Sequence, residues 1–415
     1  MLPQQLRELV EQTCAAFPWY KALLPNGGER AEVRLDELPL INGQLLERHY
    51  YTASMGGAFA VYRTSGTSSG GRKAIAYSKQ DERHYLEVKA KLYDRLTAGA
   101  GIKRALADMG TGHAASTALD VFRRLGWEAD AIPFEEPVEK HVLKLLQMKP
   151  DLLYTMPSIL DRIIAASDDP SAFGVRRILL VGEVASPQWR RRAAERFGIG
   201  EDDIVDTYGS IEIGTIAYYD SVTGRYLFAD GITAETVPAE ALGEGFEPLP
   251  GGEAVLVLTS RLRDHFPALR FVTYDVVRDF AEIEIDGERV PSFAGIVKRI
   301  GKELKHGEKI SVYDIEDAVY RFADQAQVKV AAYGRKLSVQ IASDSITDER
   351  LGLIREAIEH QIPEIGSMIR GGLLDGIDVS LSKPQLSAAG GAIPVKSKKM
   401  HYGMPENDVI ADGGE

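Results

Sequence analysis

The 415-residue sequence predicts an α/β protein with a large N-terminal domain of several subdomains and a small α+β C-terminal domain. Three observations carry that expectation. The chain is longer than one hydrophobic core usually supports. Helical and strand-like apolar periods alternate through its first half. After about residue 300 a separate helix–strand–strand–helix rhythm begins, which sets the expected domains at 1–300 and 301–415.

In chain order, MLPQQLRELVEQTCAAF places Arg7, Glu8 and Glu11 where a secretory leader needs an apolar core, so it reads as an amphipathic helix. Residues 79–98 form a charged amphipathic helix, and 139–149, EKHVLKLLQMK, another. Pro150 and the apolar DLLYT follow, then a buried strand ILLV at 178–181 that ends in Gly182 and Glu183. A basic helix over 187–197 leads to the short strand IVDTYGS. From 224 to 290 the runs EAVLVLT, ALRFVTYDVV and FAEIEIDGERV alternate as strands between Gly and Asp turns. Beyond 300, VYDIEDAVYRF is helical, QVKVAAY and KLSVQIAS are strands, and DERLGLIREAIEHQI is a helix.

Acidic residues outnumber basic ones 61 to 49, a formal charge of −12. That balance argues against nucleic-acid or anionic-membrane partners, which need basic surfaces. The single Cys14 excludes an intrachain disulfide and a multi-cysteine zinc site. No apolar run approaches the length of a membrane span, and a cytoplasmic protein is expected.

Residues 61–73, VYRTSGTSSGGRK, crowd three glycines, several hydroxyls and an Arg-Lys pair into one loop. Glycines let backbone N–H groups approach an anion, and the hydroxyls and cations add donors. The spacing is not that of a P-loop NTPase. From Gly66 the second glycine falls at Gly71, but Lys73 comes one place late and no Ser or Thr follows it.

Together with four later stretches, TSGTSSGGRK resembles the Thr/Ser/Gly-rich signature of the adenylate-forming superfamily, which includes acyl-CoA synthetases, peptide-synthetase adenylation domains and luciferases. The resemblance implies that Thr64, Ser65, Gly66, Thr67, Ser68 and Lys73 hold the ATP phosphates. DTYGSIEIG, 206–214, is similar to the family's YGxTE element, with Ile211 at the Thr position. It implies that Tyr208 stacks on adenine, that Gly209 and Ser210 lie by the α-phosphate, and that Glu212 helps hold Mg2+. PALRFVTYDVV, 267–277, resembles RYRTGD and makes Asp275 the ribose ligand, with Tyr274 replacing a glycine. KRIGKELKHGEKISVYDIEDAV, 298–319, is similar to the hinge element, in which Arg299 meets the ribose and Gly301 and Lys302 form the hinge. IPVKSKKMHY, 393–402, resembles the terminal element whose lysine drives adenylation. Spacing from Pro394 selects Lys399, with Lys398 as the second candidate.

Three further stretches are similar to the phenylacetate–CoA ligase-like branch: DELPLINGQLLERHY, LLYTMPSILDRI and ILLVGEVAS. They place Gly182 and Glu183 in the ATP site and Tyr154 and Met156 in the acyl pocket, while MGTGH at 109–113 sets His113 near the substrate carboxylate.

The resemblance implies a ligase that uses ATP and Mg2+ to turn a small-molecule carboxylic acid, aromatic by analogy with the branch, into an acyl-AMP with release of pyrophosphate. The acyl group then passes to a thiol, either coenzyme A or the phosphopantetheine of an aryl or acyl carrier protein in secondary metabolism, and the mobile small domain swings about the hinge between steps. The chemistry needs such parts, because a carboxylate is a poor electrophile and two anions must be held in line. A homologue that binds nucleotide or acyl ligand without turnover is the alternative. Ile211 and the altered terminal lysine element favour it, and intact Glu212, Asp275 and Arg299 oppose it.

Overall fold

The computed structural model describes residues 2–24, 33–52, 57–63, 73–110, 113–301, 311–323, 326–333, 335–343, 346–372, 374–382 and 400–402. Helices α1 (Pro3–Ala16), α2 (Pro18–Lys21) and α3 (Gly43–His49) precede the antiparallel hairpin β1 (Ala60–Arg63) and β2 (Ala74–Tyr77). A wound α/β unit follows. It runs α4 (Lys79–Leu96), β3 (Arg104–Met109), α5 (His113–Arg124), β4 (Glu128–Pro133), α6 (Val138–Met148), β5 (Leu152–Thr155), α7 (Pro157–Ala165), β6 (Arg177–Val181), α8 (Pro187–Phe197) and β7 (Ile204–Ser210). Antiparallel strands β8 (Gly214–Asp220) and β9 (Arg225–Phe228) extend the sheet.

Next come β10 (Ile232–Val237), β11 (Glu253–Ser260), β12 (Phe271–Arg278), β13 (Ala281–Ile285), β14 (Glu288–Phe293) and β15 (Gly295–Arg299). The hairpin β13–β14 joins β9, which completes a nine-stranded sheet of order β13-β14-β9-β8-β7-β6-β5-β3-β4. The other four strands form their own antiparallel sheet, β10-β11-β12-β15. The C-terminal part contains α9 (Val312–Tyr320), β16 (Gln327–Tyr333), β17 (Lys336–Ala342), α10 (Asp348–Gln361), α11 (Pro363–Arg370), β18 (Ile377–Ser382) and β19 (Met400–Tyr402). Its sheet has the order β18-β17-β16-β19. The fold is thus the expected α/β arrangement of a large N-terminal and a smaller C-terminal part.

Local chemistry explains the main boundaries. Ser78 and Asp81 cap α4 reciprocally: each side chain accepts the other's backbone N–H at 2.9 Å. Ser186 caps α8, and Gly198, with φ +66°, ends it in the left-handed conformation. All four residues of β5 are buried, as expected of a central parallel strand covered on both faces. Among the described residues no helix is long and apolar enough to cross a membrane.

We propose the division between residues 300 and 301 as the domain boundary; in its favour, among the described residues β16 to β19 pair only with one another. The two parts meet where α9 packs on α8, and one apolar cluster runs from the parallel strands through this contact to Ile315 and Val319. Polar ties flank it. The Arg278 guanidinium bridges Glu253 at 3.0 Å and Asp314 of α9 at 2.8 Å, while Lys298 holds the other Glu253 oxygen at 2.9 Å. Gln188 donates its backbone N–H to Asp317.

Candidate active site

Parallel strands β7, β6, β5 and β3 lie side by side, so their C-terminal ends form one continuous rim, the usual ligand edge of such sheets. At its β7 end, three residues from three separate motifs converge. Tyr208 donates its hydroxyl to Asp275 Oδ2 at 2.5 Å, and Arg299 Nη1 lies 3.4 Å from Oδ1. Register produces the second contact, because Asp275 of β12 stands directly opposite Arg299 of β15. Burial and the neighbouring Asp275 charge hold the Tyr208 phenol well above its ordinary pKa, so it stays a donor. Tyr274 adopts φ +63°, and its hydroxyl accepts the Gly43 N–H at 2.9 Å while its ring stacks on Phe246.

Gly209 is required by close approach: a Cβ there would lie 2.7 Å from the Gly214 carbonyl oxygen. The Ser210 hydroxyl accepts the Ile213 N–H, and the Ile211 carbonyl accepts the Tyr77 hydroxyl at 2.7 Å. Glu212 is positioned through its backbone, whose carbonyl accepts Arg263 Nε at 2.8 Å. Arg263 is a buried strut. It pairs with Asp81 at 2.7 Å, donates to the Ala76 carbonyl, and stacks over Tyr77. Asp81 also accepts the N–H groups of Asp264 and His265, so the Asp81–Arg263 pair ties α4, β2 and the 263–265 segment together. Sequence reasoning missed Arg263 and Asp81; the only signal was Asp81 at the third position of a capping box. Lys73 sits at the start of β2 beside Glu47, at 2.9 Å, and over the Tyr51 ring.

Farther along the rim, Gly182 follows β6 with φ +84°. The Glu183 carboxylate is engaged by the N-terminus of α7, accepting the N–H and hydroxyl of Ser158 at 2.9 and 3.0 Å. His113 opens α5 and is buried, with Nε2 3.0 Å from Glu82, while Tyr62 donates to the other Glu82 oxygen at 2.5 Å. Burial pulls the imidazole below its ordinary pKa, although Glu82 opposes the shift. Tyr85 lies against this ring, tilted by 33°, with centroids 3.8 Å apart. Met156 is buried between β5 and α7, and Tyr154 is fully buried.

The Tyr154 hydroxyl accepts Lys89 Nζ at 2.8 Å, and the Tyr85 hydroxyl accepts the same amine at 2.8 Å. Lys89 went unnoticed in the sequence. A signal existed: it stands four residues from Tyr85 and four from Tyr93, on the one face of α4 that turns inward. Thr64, Ser65, Gly66, Thr67, Ser68, Lys302, Lys398 and Lys399 lie outside the described residues, and Gly301 is the last described residue before Lys302.

The described residues fit a bound nucleotide. Each Asp275 oxygen makes one contact and retains a lone pair for a ribose hydroxyl. Among the described residues no cluster of three His, Cys, Asp or Glu gathers to hold a metal. One carboxylate, Glu212, suits a magnesium ion carried mainly by phosphates.

Residues 305–383 match the family described as fumarate–diaminopropanoate ligase C-terminal domain. The chain is 40% identical over 373 residues to the fumarate–(S)-2,3-diaminopropanoate ligase of Enterobacter agglomerans, covering 89% of this chain and 93% of that protein. In fold it is similar to 2-hydroxyisobutyryl-CoA ligase in the postadenylation state, with TM-score 0.72 and 17% identity over 96% of this chain and 88% of that one. It is also similar to a benzoate CoA ligase of Burkholderia xenovorans LB400, with TM-score 0.53 and 13% identity over 84% and 71%. Identity of that order along nine-tenths of its length, on the fold of acyl-CoA ligases, shows that this chain belongs to the adenylate-forming ligases, in the family of the Enterobacter enzyme.

Proposed function

We propose that the protein activates a carboxylic acid as an acyl adenylate, with release of pyrophosphate, and passes the acyl group to a nucleophile. The observation that carries this reading is the meeting of Tyr208, Asp275 and Arg299, drawn from three distant motifs, at one corner of the rim. In this reading Asp275 and Arg299 bind the ribose, Tyr208 fixes Asp275 and flanks the adenine, and Glu212 meets the magnesium. The glycine- and hydroxyl-rich loop from Thr64 to Ser68 and Lys73 hold the phosphates, assisted by Gly182, Gly209 and Ser210. Lys399, or Lys398 beside it, stabilises charge as pyrophosphate departs. His113 lies at the acyl end with Tyr154 and Met156. When bound, magnesium would neutralise phosphate charge.

Two descriptions of the substrates compete. Resemblance to the phenylacetate–CoA ligase-like branch favours an aryl acid and a thiol, coenzyme A or a carrier protein. The Enterobacter relative is named for fumarate and an amino acid, which favours a short acid and an amine acceptor. We favour the second, because 40% identity over most of the chain weighs more than a match of short segments. Acid-dependent ATP–pyrophosphate exchange tests the reading across fumarate, other short acids and aryl acids. Exchange with fumarate supports it, and exchange with aryl acids alone restores the first description. ATP binding without exchange for any acid would turn the reading to a non-catalytic binder. Product formation with 2,3-diaminopropanoate against coenzyme A then identifies the acceptor.

A further inference from the structure

Lys89 is 3% exposed, and among the described residues no carboxylate lies within ion-pairing distance of it. Its neighbours are the hydroxyls of Tyr85 and Tyr154 and the ring faces of Tyr85, Tyr93 and Tyr154, at 5.0, 5.5 and 4.9 Å from the amine. Phenol oxygens and ring faces orient a cation, but they do not neutralise it. Glu82, a nearby acid, is already held by His113 and Tyr62. An ammonium has three donors, and two are used here. A buried cation without a counter-charge is costly, and burial alone pushes this amine down to about 7.

Position supplies the second half of the argument. Tyr85 packs against Gly214, where a Cβ would come within 3.1 Å of its ring, and Gly214 in turn abuts Gly209 of the nucleotide corner. Tyr85 also lies against the His113 ring, whose Nδ1 is buried with no hydrogen-bond partner among the described residues. Tyr154 is the penultimate residue of β5 and lies in register with Leu179 of β6 and Val205 of β7, on the sheet whose rim carries Tyr208. The Tyr85 ring, 3.8 Å from the His113 ring and bonded through its hydroxyl to Lys89, therefore sets the amine one ring's length from His113, the residue read above as lying at the acyl end.

We propose that Lys89, held by Tyr85 and Tyr154, receives the second carboxylate of a short dicarboxylic acid and so selects diacids over monoacids. This rests on the ligase reading above. The distal carboxylate brings the counter-charge that the protein omits, and it restores the proton that burial weakens. A methyl group in its place would leave the ammonium buried and unpaired, which sites of this kind reject strongly.

The test compares fumarate with crotonate, which carries a methyl in place of one carboxylate, in ATP–pyrophosphate exchange by wild type, Lys89→Met and Lys89→Arg. Lys89→Met is expected to raise the KM for fumarate about a hundredfold, leave that for ATP unchanged, and improve or preserve exchange with crotonate. Lys89→Arg should retain part of the fumarate preference. Tyr154→Phe, which removes one oxygen from the amine and keeps the ring, should raise the fumarate KM several-fold, and it serves if the Lys89 variants fail to fold. An unchanged KM for fumarate in folded Lys89→Met overturns the assignment and leaves the ligase reading standing. Wild-type exchange with monoacids but not with fumarate does the same. Absence of exchange with every acid overturns the ligase reading and this inference with it.

Discussion

The two ends of the rim treat charge in opposite ways. At the corner proposed to bind the nucleotide the protein supplies both signs: Asp275 lies between Tyr208 and Arg299, and the Arg299 side chain is 52% exposed. At the end proposed to take the acid it supplies a buried amine surrounded by tyrosines and no described counter-ion. The difference follows from what each ligand would bring. Ribose offers neutral hydroxyls, so an acceptor must be built into the protein. A diacid brings its own negative charge, so the matching cation can be left waiting. The first arrangement tolerates solvent, whereas the second depends on excluding it.

Both ends lean on the Arg263–Asp81 strut, so its removal should blur the contrast most. Asp81→Ala strands a buried guanidinium and is expected to destabilise the fold by about 3–5 kcal/mol, read as a large fall in Tm. A fall of only a few degrees would show that the strut is dispensable. Lys399→Ala should separate chemistry from binding, with pyrophosphate exchange falling about 100- to 1,000-fold and ATP affinity intact. An unchanged rate would move that role to Lys398. Asp275→Ala is expected to weaken ATP binding about 10- to 100-fold by calorimetry and to leave the discrimination between fumarate and crotonate as it was. If that discrimination collapsed as well, the two ends would not be independent.

Tyr208→Phe removes only the hydrogen bond to Asp275 and should weaken ATP several-fold, about 1 kcal/mol. A pH dependence of stability tests the other end. Burial lowers the Lys89 amine from 10.5 to about 7, so between those values the unfolded chain holds the proton more tightly. Stability from this group is therefore gained as pH rises above about 7 and lost as it falls. The Tm of wild type should accordingly gain on that of Lys89→Met between pH 7 and pH 9, and parallel curves would refute a buried, weakened amine.

The sequence was most legible where local rules act alone. The alternation of helices and strands from residue 79 to 210 is present as expected, because each element is set by period, caps and glycines. Tyr208, Asp275 and Arg299 were legible through motif order, and strand register explains why Asp275 and Arg299 meet. The hairpin β1–β2 was not, since its four-residue strands flank a loop whose composition dominates the reading. Lys89 was hidden for a different reason. In EVKAKLYDR it looks like any solvated helix charge, and only the packing of α4 against β5 and α5 turns its face inward. The Glu183 tie to Ser158 likewise depends on β6 and α7 being neighbours in space.

Arg278 has a consequence for how the two parts could separate. Its guanidinium is shared between Glu253 on its own side and Asp314 on the other. Were α9 to lift away, Glu253 would still be satisfied by Lys298, and Arg278 would keep Glu253. Asp314 lies in the first turn of α9, where the helix N-terminus favours a negative charge and Ser311 caps the end. Parting would therefore orphan no ion. The bridge behaves as a detachable coupling, and the grip between the two parts rests on the packing of α9 against α8 and β15.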